Sequence, residues 1–199
     1  MSLAPEDRAR ADYYAVLARL FQGPPDAAFL AALAASRRGT SDGDLPRAWQ
    51  ALTHAAAAAT ERGADEEFSA LFVAVGRPQV VLYASCYLTG FMMEQPLAAL
   101  RDDLAALGLA RHDDVREPED HFAALLEVMR HLIIDDSRSE DERIALQREF
   151  FNSHIVPWSE KLCDALDSSA DAVLYRVVAG LTRALINVEK QFLQVHNRY

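Results

Sequence analysis

Alanine fills 35 of the 199 positions and glycine only 8, and this imbalance restricts the possible folds more than any other feature of the chain. Alanine loses no side-chain entropy in a helix, whereas glycine weakens helices and supplies the tight turns that join strands. The expected fold is therefore all-α, a single-domain bundle of about eight to ten helices over residues 1–199. With 51% apolar side chains, a chain of this length buries roughly 70% of the surface its unfolded form exposes, enough for a core without disulfide or metal staples.

Apolar spacing and punctuation place the helices. Pro5 to Phe21 begins with a first-turn proline, sets Glu6 and Asp7 against the helix dipole, and aligns Tyr13, Val16, Leu17 and Leu20. Gly23-Pro24-Pro25 ends it. A second helix spans Asp26 to about Ser36, and Arg37 to Asp44 reads as a loop. Leu45 to Arg62 reads as a third helix closed by Gly63, and Glu66 to Val75 as a fourth ended by Gly76 and Pro78. Val80 to Tyr83 is the only good strand signal; a lone strand has no ladder partner, so an extended connector is expected. Helical spacing returns from Pro96 to Leu107 and stops at Gly108, and Ala110 to Arg116 reads as a charged loop. Glu117-Pro118-Glu119-Asp120 is expected to open a helix to about Asp135, its carboxylates complementing the dipole and Phe122, Leu125, Leu126, Met129, Leu132 and Ile133 forming an apolar stripe. Ser139 to Glu142 has capping-box spacing and starts a helix holding Ile144, Phe150, Phe151 and Ile155. Pro157-Trp158 is expected to restart the chain into a short helix to about Leu166. Ser168 or Ser169 is expected to cap a last helix from Ala170 to about His196, with Leu174, Val177, Val178, Leu181, Leu185, Val188 and Phe192 on its buried side.

Composition narrows the function classes. Thirty acidic against 20 basic residues give a net charge of −10, which disfavours binding to nucleic acid or an anionic membrane and favours a cationic partner. Cys86 and Cys163 have no CxxC spacing, which fits a reducing cytoplasm rather than a disulfide framework. Met1 to Arg10 lacks an apolar segment behind it and no run approaches 18 apolar residues, so neither secretion nor stable membrane insertion is expected. The sequence contains no GxGxxG, GxxxxGK[ST], GxSxG or HExxH motif, and no histidine pair three or four apart on one predicted helix. No catalytic residue, metal or cofactor is assigned.

Two constellations carry chemistry. Tyr83-x-Ser85-x-Tyr87, read as a non-helical segment and preceded by Leu71-Phe72, offers aromatic rings with polar tips suited to peptide recognition. The alternative is that Tyr83 and Tyr87 simply cover the bundle. Glu117-Pro118-Glu119-Asp120-His121 crowds carboxylates and an imidazole into one turn. It reads as helix capping, as an acidic pocket that pairs with guanidinium groups, or as an Asp120–His121 acid/base pair in a small helical enzyme.

With both constellations in view, the chain resembles the TorD/DmsD family of redox-enzyme maturation chaperones. The matching residues are Glu67-Phe68 with Leu71-Phe72, Pro78, Tyr83-Ala84-Ser85-Cys86-Tyr87, Gly108-Leu109, Glu117-Pro118-Glu119-Asp120-His121, Glu127, Met129, Gln147, Phe151, His154 and Trp158. The family often has Trp where Tyr83 or Tyr87 stands, and Phe where Leu162 stands, departures that bear on the client more than on the fold. The resemblance implies a cytoplasmic, non-enzymatic chaperone. It would bind the twin-arginine leader and catalytic subunit of a molybdoenzyme, of formate dehydrogenase or DMSO/TMAO reductase type, until its cofactor is inserted. It implies a peptide-binding surface of Leu71, Phe72, Tyr83, Ser85, Tyr87, Glu117, Asp120 and His121. Family bundles can exchange segments between protomers, and Arg111 to Arg116 and Asp136 to Ser139 are candidate hinges, so a monomer and a swapped homodimer both fit.

Overall fold

A computed structural model describes residues 3–36, 42–73, 78–92, 94–112 and 114–195. The elements are α1 (Pro5–Gln22), α2 (Ala27–Ala35), α3 (Asp44–Ala58), α4 (Glu61–Phe72), α5 (Ala84–Thr89), α6 (Gln95–Ala106), α7 (Phe122–Ile134), α8 (Glu140–Phe150), a π-helical turn (Phe151–Ile155), α9 (Val156–Ser168) and α10 (Leu174–Val195). The all-α expectation holds. Val75, Gly76 and His196, and most of the expected 37–44 loop, lie outside the described residues. The chain forms two compact units, Met1–Ala18 with Leu82–Ser159 and Arg19–Val81 with Glu160–Tyr199.

Where a helix end is set by its own neighbours, sequence and structure agree. Asp26 caps α2 by accepting from the Phe29 amide at 2.7 Å. Ser139 and Glu142 form the full capping box of α8, and Gly108, at φ +74°, follows the end of α6.

The expected third helix divides instead. Ala55 to Ala59 carries no stop signal, yet the chain extends at Ala59 and Thr60, and the Thr60 hydroxyl accepts from the Gly63 amide at 3.1 Å. Gly63 therefore lies inside the first turn of α4, not beyond the end of α3. The break expected at Pro157 is absent as well. The chain passes from α8 through the π-turn into α9, with the Val156 amide donating to the Phe151 carbonyl five residues back. Proline lacks an amide hydrogen and crowds the carbonyl four residues before it; the wider π-turn just ahead of Pro157 relieves both faults without ending the helix.

In the unit containing α5 to α8, Leu97 and Leu100 of α6 and Phe122, Leu125, Leu126, Met129, Leu132 and Ile133 of α7 are buried, which bears out the apolar stripe expected for α7. The carbonyls that end α7 are closed from outside it. Gln147 donates to the Leu132 carbonyl and Arg143 to that of Ile133, both at 3.1 Å, while Arg10 holds Gln147 at 2.8 Å. In the other unit α10 packs on α3 and α3 on α2. Within α10, Leu174, Val178, Leu181 and Leu185 are buried as expected, but Val188 is exposed and Val177 and Phe192 are only half-buried.

Candidate functional site

Tyr83 and His121, 38 positions apart in sequence, form an isolated antiparallel bridge. The Ala84 amide donates to the Asp120 carbonyl at 3.1 Å and the Phe122 amide to the Leu82 carbonyl at 2.8 Å. The expected unpartnered connector therefore has a partner, supplied by the segment that was expected to be the first turn of α7. That turn is not helical. Glu117 to Asp120 precede α7, whose first turn holds no acidic residue, and His121 is its N-cap, with Nδ1 accepting from the Ala123 amide at 3.2 Å.

The carboxylates that were expected to complement the α7 dipole go elsewhere. Asp120 is buried, and its Oδ2 accepts from the Ser85 amide at 2.9 Å and the Ser85 hydroxyl at 2.6 Å. This bond caps Ala84–Thr89, so Tyr83-x-Ser85-x-Tyr87 is not an extended segment: only Tyr83 is extended, and Ser85 and Tyr87 lie on α5. Glu119 takes two hydrogen bonds from Arg101, at 2.8 and 3.0 Å, and lies 3.5 Å from Arg111. Burial would raise the Glu119 pKa, but the Arg101 bonds and charge, with Arg111, outweigh it and leave the carboxyl below its ordinary value. Arg101 and Arg111 carried no sequence signal, because neither lies within a helical turn of Glu119.

Glu117 is the exposed acid of the group and accepts a hydrogen bond from the Tyr83 hydroxyl. Burial, then the bond to Glu117 and its charge, push the Tyr83 phenol well above its ordinary pKa, so it remains a donor at any physiological pH. The Tyr83 ring meets His121 edge-on, with centroids 5.2 Å apart. Tyr87 stacks on Trp158 at 5.3 Å, half-buried. Beyond these, His154 in the π-turn bonds Asp103 of α6 at 2.7 Å and accepts from the Trp158 indole through its carbonyl at 2.7 Å.

The structure thus gathers Tyr83, Ser85, Glu117, Asp120 and His121 in one place, with Tyr87 on the same short helix. Leu71 and Phe72 belong to the other unit. Leu71 is fully buried and its carbonyl accepts from the Val80 amide at 3.0 Å. Phe72 joins Phe21, Phe68 and Tyr175 in a ring cluster, at 6.5, 4.9 and 5.0 Å.

The arrangement presents one exposed carboxylate oriented by a phenol, which suits a cationic group. Asp120 and His121 engage different partners, Ser85 and the Ala123 amide, and no hydrogen bond joins their side chains. Among the described residues no three His, Cys, Asp or Glu side chains gather to hold a metal ion, and no helix is long and apolar enough to cross a membrane.

His121 provides a pH test. Burial lowers its pKa below the ordinary histidine value, against the opposing charges of Glu117 and Asp120, and its capping role requires an unprotonated Nδ1. The unfolded chain therefore takes up the proton first, near pH 6.5, and stability is expected to fall as pH drops below that value. Asparagine is a good N-cap without a titrating ring. His121→Asn should match the wild type above about pH 7 and become the more stable of the two below about pH 6.5. Parallel urea titrations from pH 5 to 8 measure this, and a pH-independent difference would refute it.

Comparison with known proteins adds to this geometry. A family model described as nitrate reductase delta subunit matches residues 40–164, a span that includes every residue of the Tyr83–His121 site. The chain is 27% identical over 137 residues to the chaperone protein TorD of Vibrio atlanticus, covering 64% of this chain and 62% of that protein. It is 28% identical over 133 residues to TorD of Vibrio cholerae serotype O1, covering 64% and 60%. With the Tat proofreading chaperone DmsD of Salmonella typhimurium it shares 27% identity over 164 residues, covering 81% and 68%. The match thus spans about three fifths of the length of these TorD relatives.

Proposed function

Because the chain belongs to the TorD/DmsD family of chaperones, we propose that it serves the maturation of a molybdopterin-dependent oxidoreductase in the cytoplasm. It binds the twin-arginine leader of the apo catalytic subunit, of formate dehydrogenase or DMSO/TMAO reductase type, and holds it until the cofactor is inserted and export can proceed. It does so without turnover.

The observation that carries this reading is the Glu117 carboxylate, exposed and oriented by the Tyr83 hydroxyl beside the His121 ring. A leader arginine can take Glu117 with its planar fork, which a lysine does less well. In this reading Tyr83, Glu117 and His121 touch the leader. Ser85 and Asp120, both buried and bonded to each other, hold α5 in place beneath it. Tyr87 is held by its stack on Trp158. Leu71 and Phe72 act through the aromatic packing of their own unit.

Titration of the full chain with a synthetic leader carrying paired arginines tests this. Glu117→Gln is expected to weaken binding about tenfold, as is replacement of the paired arginines by lysines. Asp42→Asn, at an exposed acid of the other unit, should leave binding unchanged. Equal affinities for wild type and Glu117→Gln would refute the assignment.

A further inference from the structure

Glu117, the exposed acid of the site, stands in a stretch outside any helix. Among the described residues, the backbone bonds on either side of it are short local ones: the Val115 amide to the His112 carbonyl at 3.0 Å, and the His121 amide to the Pro118 carbonyl at 3.1 Å. Pro118 disfavours a helical conformation at Glu117, which narrows its backbone without tying it to another element. Two arginines supply the ties. Arg101 of α6 donates from Nε and Nη2 to one carboxylate oxygen of Glu119, and Arg111 lies 3.5 Å from the other. A second nitrogen of Arg111 donates to the Val115 carbonyl. Arg111 thus joins Val115 to Glu119, the residues that bracket Glu117, and Arg101 fastens the closed stretch to α6. The same helix holds the far side of the site. Its Asp103 bonds His154, whose carbonyl accepts from Trp158, the ring on which Tyr87 of α5 stacks.

The Arg101 side chain is 53% exposed, and an ion pair so placed adds little to folding stability. As a bare charge it would also work against the site, because it repels a cationic partner. Its value lies in order. A carboxylate fixed before the ligand arrives spares the complex the entropy of ordering a loop. We infer that Arg101 is a positioning residue, which through Glu119 holds the Glu117 carboxylate at the Tyr83 hydroxyl, where a ligand guanidinium takes it. The ligand rests on the leader reading above; the hold on the segment rests on the contacts alone.

The test uses the full chain, the variants Arg101→Ala, Arg101→Lys and Arg101→Ala/Glu117→Gln, and a synthetic paired-arginine leader as probe. Arg62→Ala is the control, since it removes the same charge from an exposed helical pair of the other unit. Arg101→Ala should bind the leader about fivefold more weakly than wild type, although the loss of a positive charge beside an acidic site would by itself strengthen binding. Arg101→Lys, which keeps the charge and one donor, should recover part of the loss, and Arg62→Ala should match the wild type. The double variant should bind no more weakly than Glu117→Gln alone, because Arg101 acts through Glu117. Hydrogen exchange of the free chain gives a readout that needs no ligand. In Arg101→Ala the His121 amide should exchange about tenfold faster, while that of Met129 in the middle of α7 stays unchanged. Unchanged or tighter leader binding by Arg101→Ala, with Glu117→Gln still weakened, overturns the inference and leaves the leader reading standing. An unchanged His121 amide overturns the inference whatever the leader does. Failure of the wild type to bind the leader overturns both.

Discussion

Replacing Glu67 with alanine is expected to lower stability by about 3 kcal/mol. Its carboxylate caps α10 from α4, accepting from three consecutive amides: Val173 at 2.8 Å, Leu174 at 3.1 Å and Tyr175 at 2.8 Å. No residue within this turn does the same, since Ser168 ends α9 and the Ser169 hydroxyl serves Asp171. Without Glu67 the first turn of α10 loses its acceptors and the negative charge that opposes its dipole. Tyr175 would loosen with it; its ring packs against Phe21, Phe68 and Phe72 and its hydroxyl donates to the Leu20 carbonyl at 2.7 Å. Glu67→Gln keeps one good acceptor oxygen, on which two of the three bonds converge, and should cost only about 1 kcal/mol. Urea unfolding of both variants, with hydrogen exchange at residues 173–175, measures the effect. A Glu67→Ala variant within about 0.5 kcal/mol of wild type would show that α10 is held by its packing alone.

Asp120→Ala is the second large effect, at about 3 kcal/mol, and it reaches the proposed binding surface indirectly. The substitution leaves the Ser85 amide and hydroxyl, in a side chain with no exposure, without their shared acceptor. A buried donor deprived of its partner costs its full desolvation. Ser85→Ala in the Asp120→Ala background removes one of the two orphaned donors and should restore about 1 kcal/mol. Asp120→Asn retains an acceptor and should stay close to wild type in stability. Leader binding separates the possible roles of this residue. As a positioning residue, Asp120 should be rescued by asparagine, with affinity lost in Asp120→Ala and recovered in Asp120→Asn. Equal loss in both would mean that its charge meets the ligand directly.

These two carboxylates also explain which parts of the molecule could be read in advance. The helices of α1, α2 and α6 and the start of α8 agree with their sequence signals to within a residue or two, and α7 shows its expected apolar stripe although it begins later. Each rests on contacts inside one or two turns: the Asp26 cap, the Ser139–Glu142 box, the glycine after α6 and the spacing of Leu125, Leu126 and Met129. Glu117-Pro118-Glu119-Asp120-His121 was recognisable as a constellation, as was Tyr83-x-Ser85-x-Tyr87. Their geometry was not, since a run of acids before an apolar stripe has the same local pattern whether it caps its own helix or another.

Residue spacing and composition were enough to make the chain helical, to place most of its helices and to single out the two segments that meet at the site. Tertiary structure alone decided that Asp120 caps α5, 35 positions away, that Glu67 caps α10 across 106 to 108 positions, and that Glu119 is neutralised by Arg101 and Arg111 while Glu117 stays exposed. The physical reason is that a carboxylate satisfies any amide or guanidinium the fold brings within reach, and that choice depends on where the backbone closes rather than on the neighbouring residues.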